Sequence, residues 1–253
     1  MHPTESRRFQ LNLGHAPALT ALQGLRDRGQ IRAGQKVLIN GAAGGVGTFA
    51  VQIAKLFGAE VTGVCSTRNV EMVRSIGADR IIDYTQEDFT KSGQRYDLIF
   101  DCVGNHSLLA LRRLLNSKGT YIAVGVPLHG RWIGPLARLL KTLVLSWFVR
   151  QKLVLFLARI RSEDLTIMRE LMEAGKVTPV IDKCYRLSEV PEAIRYLKGG
   201  HARGKVVITL EYNNKSQKRA TRWEKQDNDP QTAPHVRITE KHYAPWVRAR
   251  QEA

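Results

Sequence analysis

Four glycines within seven residues, Gly41-Ala-Ala-Gly-Gly-Val-Gly47, separate an apolar run from an amphipathic stretch. No other feature restricts the fold as much. The preceding Lys36-Val-Leu-Ile-Asn40 reads as a short buried strand. The helix expected from about Gly45 to Phe57 sets Val46, Phe49, Ala50, Ile53, Ala54 and Phe57 on one side, and Gly58 stands where a left-handed cap would end it. Within the run, Ala42-x-Gly44-x-x-Gly47 fits the dinucleotide-binding fingerprint with alanine in place of its first glycine. The small Ala42 permits the tight turn, Gly44 lets backbone approach a pyrophosphate, and Gly47 allows close packing of helix on strand. Unpaired N–H groups and partial positive charge at the helix start then face the phosphates, which makes Gly45 and Val46 part of the candidate site.

The same rhythm continues. Leu19, Leu22 and Leu25 mark one face of a helix from Pro17 to Arg28, ahead of the first strand. Strands are expected at 61–65, 80–83, 97–101 and 119–125, with helices at 70–76, ended by Gly77, and at 107–115. Alternating short apolar runs and amphipathic helices predict an α/β fold, a Rossmann-like doubly wound parallel sheet with helices on both faces. After Pro127 the pattern changes: a helix at 135–149, a strand at 152–158, and a helix at 163–174 capped by Ser162 with Gly175 beyond. An extended 177–187, a helix at about 189–198 and a last strand 205–210 follow. The expected division is an N-terminal extension 1–16, a dinucleotide-binding domain 17–176, a smaller segment 177–210, and a polar, disordered tail 211–253.

The end of the second strand bears on which nicotinamide cofactor would fit. A chain selecting NAD places Asp or Glu about 20 residues beyond the glycines, to hold the ribose 2′-hydroxyl. Here Cys65-Ser66-Thr67-Arg68-Asn69 carries no acid before Glu71. Ser66 and Arg68 can receive a 2′-phosphate that a carboxylate would repel, so NADP(H) is the expected cofactor.

Of the 253 residues, 43% are hydrophobic and 25% charged, as in a folded chain. The longest uncharged part of the apolar stretch 132–160 is Thr142–Val149, far short of the ~20 residues of a transmembrane helix. Three cysteines, Cys65, Cys102 and Cys184, are widely spaced and form no C-x-x-C. They indicate neither a disulfide framework nor a zinc ribbon, and the residues MHPTESRRFQ show no apolar core of a secretory signal, so the cytoplasm is the default expectation. The seven histidines show no ligand spacing, so no metal residue is named. The net charge of +16 lies mostly before residue 211, and residues 131–161 hold seven Lys/Arg and no acid. Such a surface suits an anionic cofactor, nucleic acid or anionic lipid, and composition does not choose among them.

Ala21-Leu-Gln-Gly-Leu25, the run Gly34 to Gly47, Gly77-Ala-Asp-Arg-Ile-Ile-Asp-Tyr84, Asp97-Leu-Ile-Phe-Asp-Cys-Val-Gly104 and Gly204-Lys-Val-Val207 occur in that order. Together they resemble the zinc-independent, quinone-reductase-like branch of the medium-chain dehydrogenase/reductases, over about residues 17–210. The resemblance implies that the glycine loop holds the NADPH pyrophosphate, with Ser66 and Arg68 near the 2′-phosphate and Tyr84 near the adenosine half. It also implies that Val103-Gly104-Asn105 and the loop at Gly125 run along the nicotinamide ribose and carboxamide, with Lys205 near the cofactor. The implied activity is hydride transfer between NADP(H) and a small carbonyl, enone or quinone.

Members of that family begin with a catalytic domain of more than a hundred residues, to which nothing in this chain corresponds. The strands of 177–210 are therefore expected to lack partners and to favour homo-oligomers. If the chain is complete, turnover should be weak or absent, and no catalytic residue is named, since the cofactor carries the hydride chemistry. A non-catalytic NADPH-binding or nucleic-acid-binding module using the basic surface is the alternative, and a gene fragment a third reading. Cys102 is expected to pack rather than react, and His106 to begin a helix.

Overall fold

The computed structural model describes residues 15–124, 151–200 and 202–209. The expected N-terminal extension, apart from its last two residues, the helix at 135–149, Gly125 and the tail 211–253 lie outside them. Six strands form one sheet: β1 (Lys36–Asn40), β2 (Glu60–Cys65), β3 (Arg80–Asp83), β4 (Tyr96–Asp101), β5 (Leu115–Val124) and β6 (Lys152–Phe156). Their order is β3-β2-β1-β4-β5-β6, and every pairing is parallel. The connection reverses direction between β1 and β4, which opens a crevice at their carboxyl ends.

The strand sequences explain the layering. Val37 and Ile39 of β1, Leu98 and Phe100 of β4, and Ile122 and Val124 of β5 are buried in one cluster. Their neighbours Leu38, Ile99 and Tyr121 are buried in a second cluster on the other face. Strands apolar on both sides need cover on both sides. The first cluster is covered by α1 (His15–Gln23, continuing as a π-helical turn Gly24–Arg28), α2 (Gly47–Leu56), α3 (Val70–Ser75) and α5 (Ser162–Glu173). The second is covered by α4 (Leu108–Arg113) and the short turn at Phe89–Lys91. Each fully buried Leu, Ile or Phe contributes roughly 1.5–3 kcal/mol relative to exposure.

Several boundaries differ from expectation. The helix after the glycine loop starts at Gly47 rather than Gly45, because Gly44 N–H bonds back to Gly41 O (3.0 Å) and residues 41–46 remain a turn. Strand β5 begins at Leu115, since Leu115 pairs with Tyr96 before the register shifts. Ser162 is not the cap of α5. Arg161 is extended and its carbonyl accepts from Leu165 N–H at 3.1 Å, so Ser162 is already helical and its Oγ turns to Glu163. The expected extended run 177–187 narrows to β7 (Ile181–Arg186), because Val177 N–H is taken by Leu171 O at the end of α5.

After β7 come α6 (Val190–Lys198) and β8 (Lys205–Thr209). Strands β7 and β8 pair with each other in parallel, so the expectation that both lack partners is corrected, although among the described residues each keeps one unpaired edge. This two-stranded sheet is tied to the large one by Gly204 N–H to Ala43 O (2.9 Å) and by Gln52, whose side chain bonds the backbone of Thr178 in both directions.

Candidate cofactor-binding site

The glycine loop lies at the carboxyl end of β1, where the chain turns sharply into α2. Gly41 has φ +82°, and a Cβ on Gly47 would lie 2.0 Å from Gly41 O, so neither position tolerates a side chain without rebuilding the turn. Ala42 is buried under the turn and its N–H bonds to Val64 O, holding the loop to β2. Gly44, Gly45 and Val46 are half-exposed at the rim. Among the described residues the N–H groups of Gly45 and Val46 find no acceptor. Free donors, a helix start and an open backbone surface fit a pyrophosphate in both shape and charge.

Lys205 approaches the same rim from β8. A Cβ on Gly45 would lie 3.4 Å from Lys205 Nζ and 3.2 Å from Gly204 O. Burial holds the Lys205 ammonium below the ordinary lysine range, with no carboxylate among its causes. The site therefore contains a cation that an anionic ligand would relieve.

At the end of β2, Ser66 is half-buried and its Oγ accepts from Asn69 Nδ2 at 3.0 Å, while Arg68 is exposed. The Thr67 hydroxyl is engaged within the protein. It donates to Asp83, the last residue of β3, which also accepts from Thr85 and is thereby held below the usual carboxylate range. Arg68 lies close enough to Tyr196 of α6 for its charge to act on that phenol. Tyr84, whose N–H bonds to Cys65 O, is 58% exposed beside this corner.

The turn after β4 is built around Asp101, which sequence reasoning did not single out. Asp101 is 1% exposed. Its Oδ1 accepts from Val103 N–H (3.0 Å), Gly104 N–H (2.8 Å) and Asn40 Nδ2 (2.9 Å), and its Oδ2 accepts from Tyr121 OH (2.8 Å). Asn40 Nδ2 also reaches Asn105 Oδ1 at 3.0 Å. In the sequence Asn40 and Asp101 are only polar residues that end β1 and β4; the structure makes them register partners. Val103, 44% exposed, is presented by this turn beside Gly41.

Neither neighbouring thiol is poised for reaction. Burial, reinforced by Asp83, pushes Cys65 up to about 11, and burial with Asp101 pushes Cys102 higher still. His106 packs edge-on against Phe89, one residue before the Ser107 cap of α4. Among the described residues, no group of three or more His, Cys, Asp or Glu could hold a metal ion, and no helix is long and apolar enough to cross a membrane.

The structure thus brings Ala42, Gly44, Gly45, Val46, Gly47, Val103, Gly104 and Lys205 to one crevice, and Ser66, Arg68 and Tyr84 to the neighbouring strand ends. Residues 76–208 match the family described as zinc-binding dehydrogenase. The chain belongs to that family. Within it the chain is a quinone-reductase-like member of the medium-chain dehydrogenase/reductases. It is 40% identical over 214 residues to the NAD(P)H oxidoreductase RTN4IP1, mitochondrial, of Bos taurus, covering 76% of this chain and 52% of that one. The chloroplastic quinone-oxidoreductase QR1 of Triphysaria versicolor is 35% identical over 178 residues, covering 69% and 52%. The solved quinone oxidoreductase from Coxiella burnetii superposes with a TM-score of 0.65 at 30% identity, over 77% of this chain and 58% of its own. The chain spans about half the length of the curated relatives it matches.

Proposed function

We propose that the chain binds NADP(H) at the β1/β4 crevice and serves an oxidoreductase of quinone-reductase type. The observation that carries this reading is the glycine cradle, with its unpaired N–H groups, and the Lys205 ammonium at the same rim. Gly44, Gly45, Val46 and Gly47 offer backbone to the pyrophosphate, with Ala42 beneath them and Lys205 supplying charge. Ser66 and Arg68 receive the 2′-phosphate, an interaction worth roughly 1.5–3 kcal/mol for a charge-assisted hydrogen bond. Tyr84 flanks the adenosine half, and Val103 and Gly104 line the nicotinamide half; Gly125, outside the described residues, is assigned to that half on the family resemblance alone.

When bound, the dinucleotide supplies a hydride at C4 of its nicotinamide, and a small carbonyl, enone or quinone accepts it. The protein's part is to bind, orient and exclude water, and no side chain of the chain is assigned as an acid or base. The reading is zinc-independent, and relatives named as NAD(P)H and quinone oxidoreductases support its cofactor and acceptor classes. Residues 17–176 form the proposed cofactor domain and 177–210 a segment that closes its rim. The β6 edge, with Leu155, Leu157 and Ile160 exposed, is the proposed contact of a homo-oligomer. Three free cysteines suit a reducing compartment, and the cytoplasm is proposed. Nucleic-acid binding gains nothing from the relatives.

Calorimetric titration with NADPH beside NADH tests the reading. Saturable binding that favours NADPH is expected. A folded chain that binds neither would overturn it.

A further inference from the structure

We propose that Asp101 is a positioning residue: through Val103 N–H, Gly104 N–H and Asn40 it fixes the Cys102–Asn105 turn in the shape that receives the nicotinamide half of the dinucleotide. This rests on the cofactor reading above and adds the device that presets one wall of the site.

The geometry has a specific logic. An ionised carboxylate only accepts hydrogen bonds, and every neighbour named here donates. Two successive backbone N–H groups converge on one oxygen, which closes the turn tightly enough to drive Gly104 to φ +69°. Asn40, the register partner on β1, ties the same oxygen to the strand that launches the glycine loop, and its amide also holds the far end of the turn through Asn105. Tyr121 on β5 occupies the other oxygen, so the carboxylate cannot rotate. The carboxyl ends of β1, β4 and β5 are thereby locked together at the point where the strand order reverses. An exposed turn of this kind would otherwise sample many shapes, and selecting one on binding would weaken the ligand. Asp101 itself is buried and need not touch the ligand.

Asparagine at this position is a natural control. Its oxygen can keep the three donors on the turn side, and the Tyr121 hydroxyl can rotate to accept from the amide. Alanine can do neither.

The test compares NADPH with 2′,5′-ADP, a probe that fills only the adenosine half, by titration calorimetry on the full chain. Asp101→Ala is expected to weaken NADPH by about tenfold or more, the loss of several oriented hydrogen bonds, while leaving 2′,5′-ADP within about twofold. Asp101→Asn should recover most of the NADPH affinity. Equal weakening of both ligands, no weakening of either, or an asparagine variant as poor as alanine would overturn the proposal. Should Asp101→Ala fail to fold, Asn40→Ala carries the same comparison: selective loss of NADPH affinity supports the proposal, and any unselective result overturns it. Wild-type protein that binds 2′,5′-ADP and NADPH keeps the cofactor reading intact whatever the variants show, whereas wild type that binds neither ends that reading first.

Discussion

Gly47 and Gly45 look alike in the sequence but are glycines for different reasons. At Gly47 a Cβ would lie 2.0 Å from a backbone oxygen, so Gly47→Ala should displace the turn, abolish NADPH binding and lower the thermal midpoint. Unchanged titration of that variant would mean the loop is not the phosphate site. At Gly45 the crowding comes from Gly204 O and Lys205, residues remote in sequence, and no fingerprint could have shown that. Arg68→Ala should weaken NADPH by roughly tenfold or more and NADH hardly at all, since only the former carries the phosphate that a charged hydrogen bond would hold. Equal losses would mean Arg68 does not reach it. Lys205 supplies a pH prediction. Its folded pKa lies below the ordinary 10.5, so between the two values the unfolded chain keeps a proton that the folded chain has lost. Unliganded stability should therefore rise with pH across that window, while NADPH affinity falls, because the phosphates need the ammonium. Lys205→Met should flatten both trends, and urea melts beside titrations over that range would show it.

Among elements, strand β1, the glycine loop and α2 were legible because each carries its own period and its own terminator. The end of β4 was legible as a strand but not as a site. Asp101 and Asn40 look like ordinary polar strand ends until register brings them together. Capping of α5 was misread because Ser162 has the right chemistry one residue too late, and the chain enters the helix through Arg161. What seats α5 is instead a buried contact with α1. Asp164 accepts from Gln23 Nε2 at 2.7 Å and pairs with Arg26 at 2.7 Å, while Gln23 also exchanges hydrogen bonds with the backbone of Arg159. Asp164→Ala should cost about 3 kcal/mol in urea unfolding, toward the low end for a broken buried pair, because Arg26 retains Asp27. A loss below about 1 kcal/mol would show that the pair is no more than a surface contact.

At the scale of the molecule, the sheet order follows from the repeated strand–helix units, but the pairing of β7 with β8 does not. Those strands are separated by α6, and neither the mostly polar β7 nor the short apolar β8 carries a signal of partner or direction. Strand β6 closes one side of the sheet with its outer hydrogen-bonding edge free among the described residues. Leu157 and Ile160, each 80% exposed, follow it. Leu155→Lys on that edge should shift sedimentation from a dimer toward a monomer without changing NADPH affinity, and a monomeric wild type would remove the proposed contact.

The hydrogen bond from Gly204 N–H to Ala43 O joins residues made far apart in time. At elongation rates of about 5–20 residues per second, the glycine loop leaves the ribosome roughly 8–32 s before its seal does. Through that interval a nascent chain carries the fingerprint without the rim that completes it. On the proposed function, NADPH capture would therefore be a late event in synthesis, completed only once β8 has emerged to close the rim.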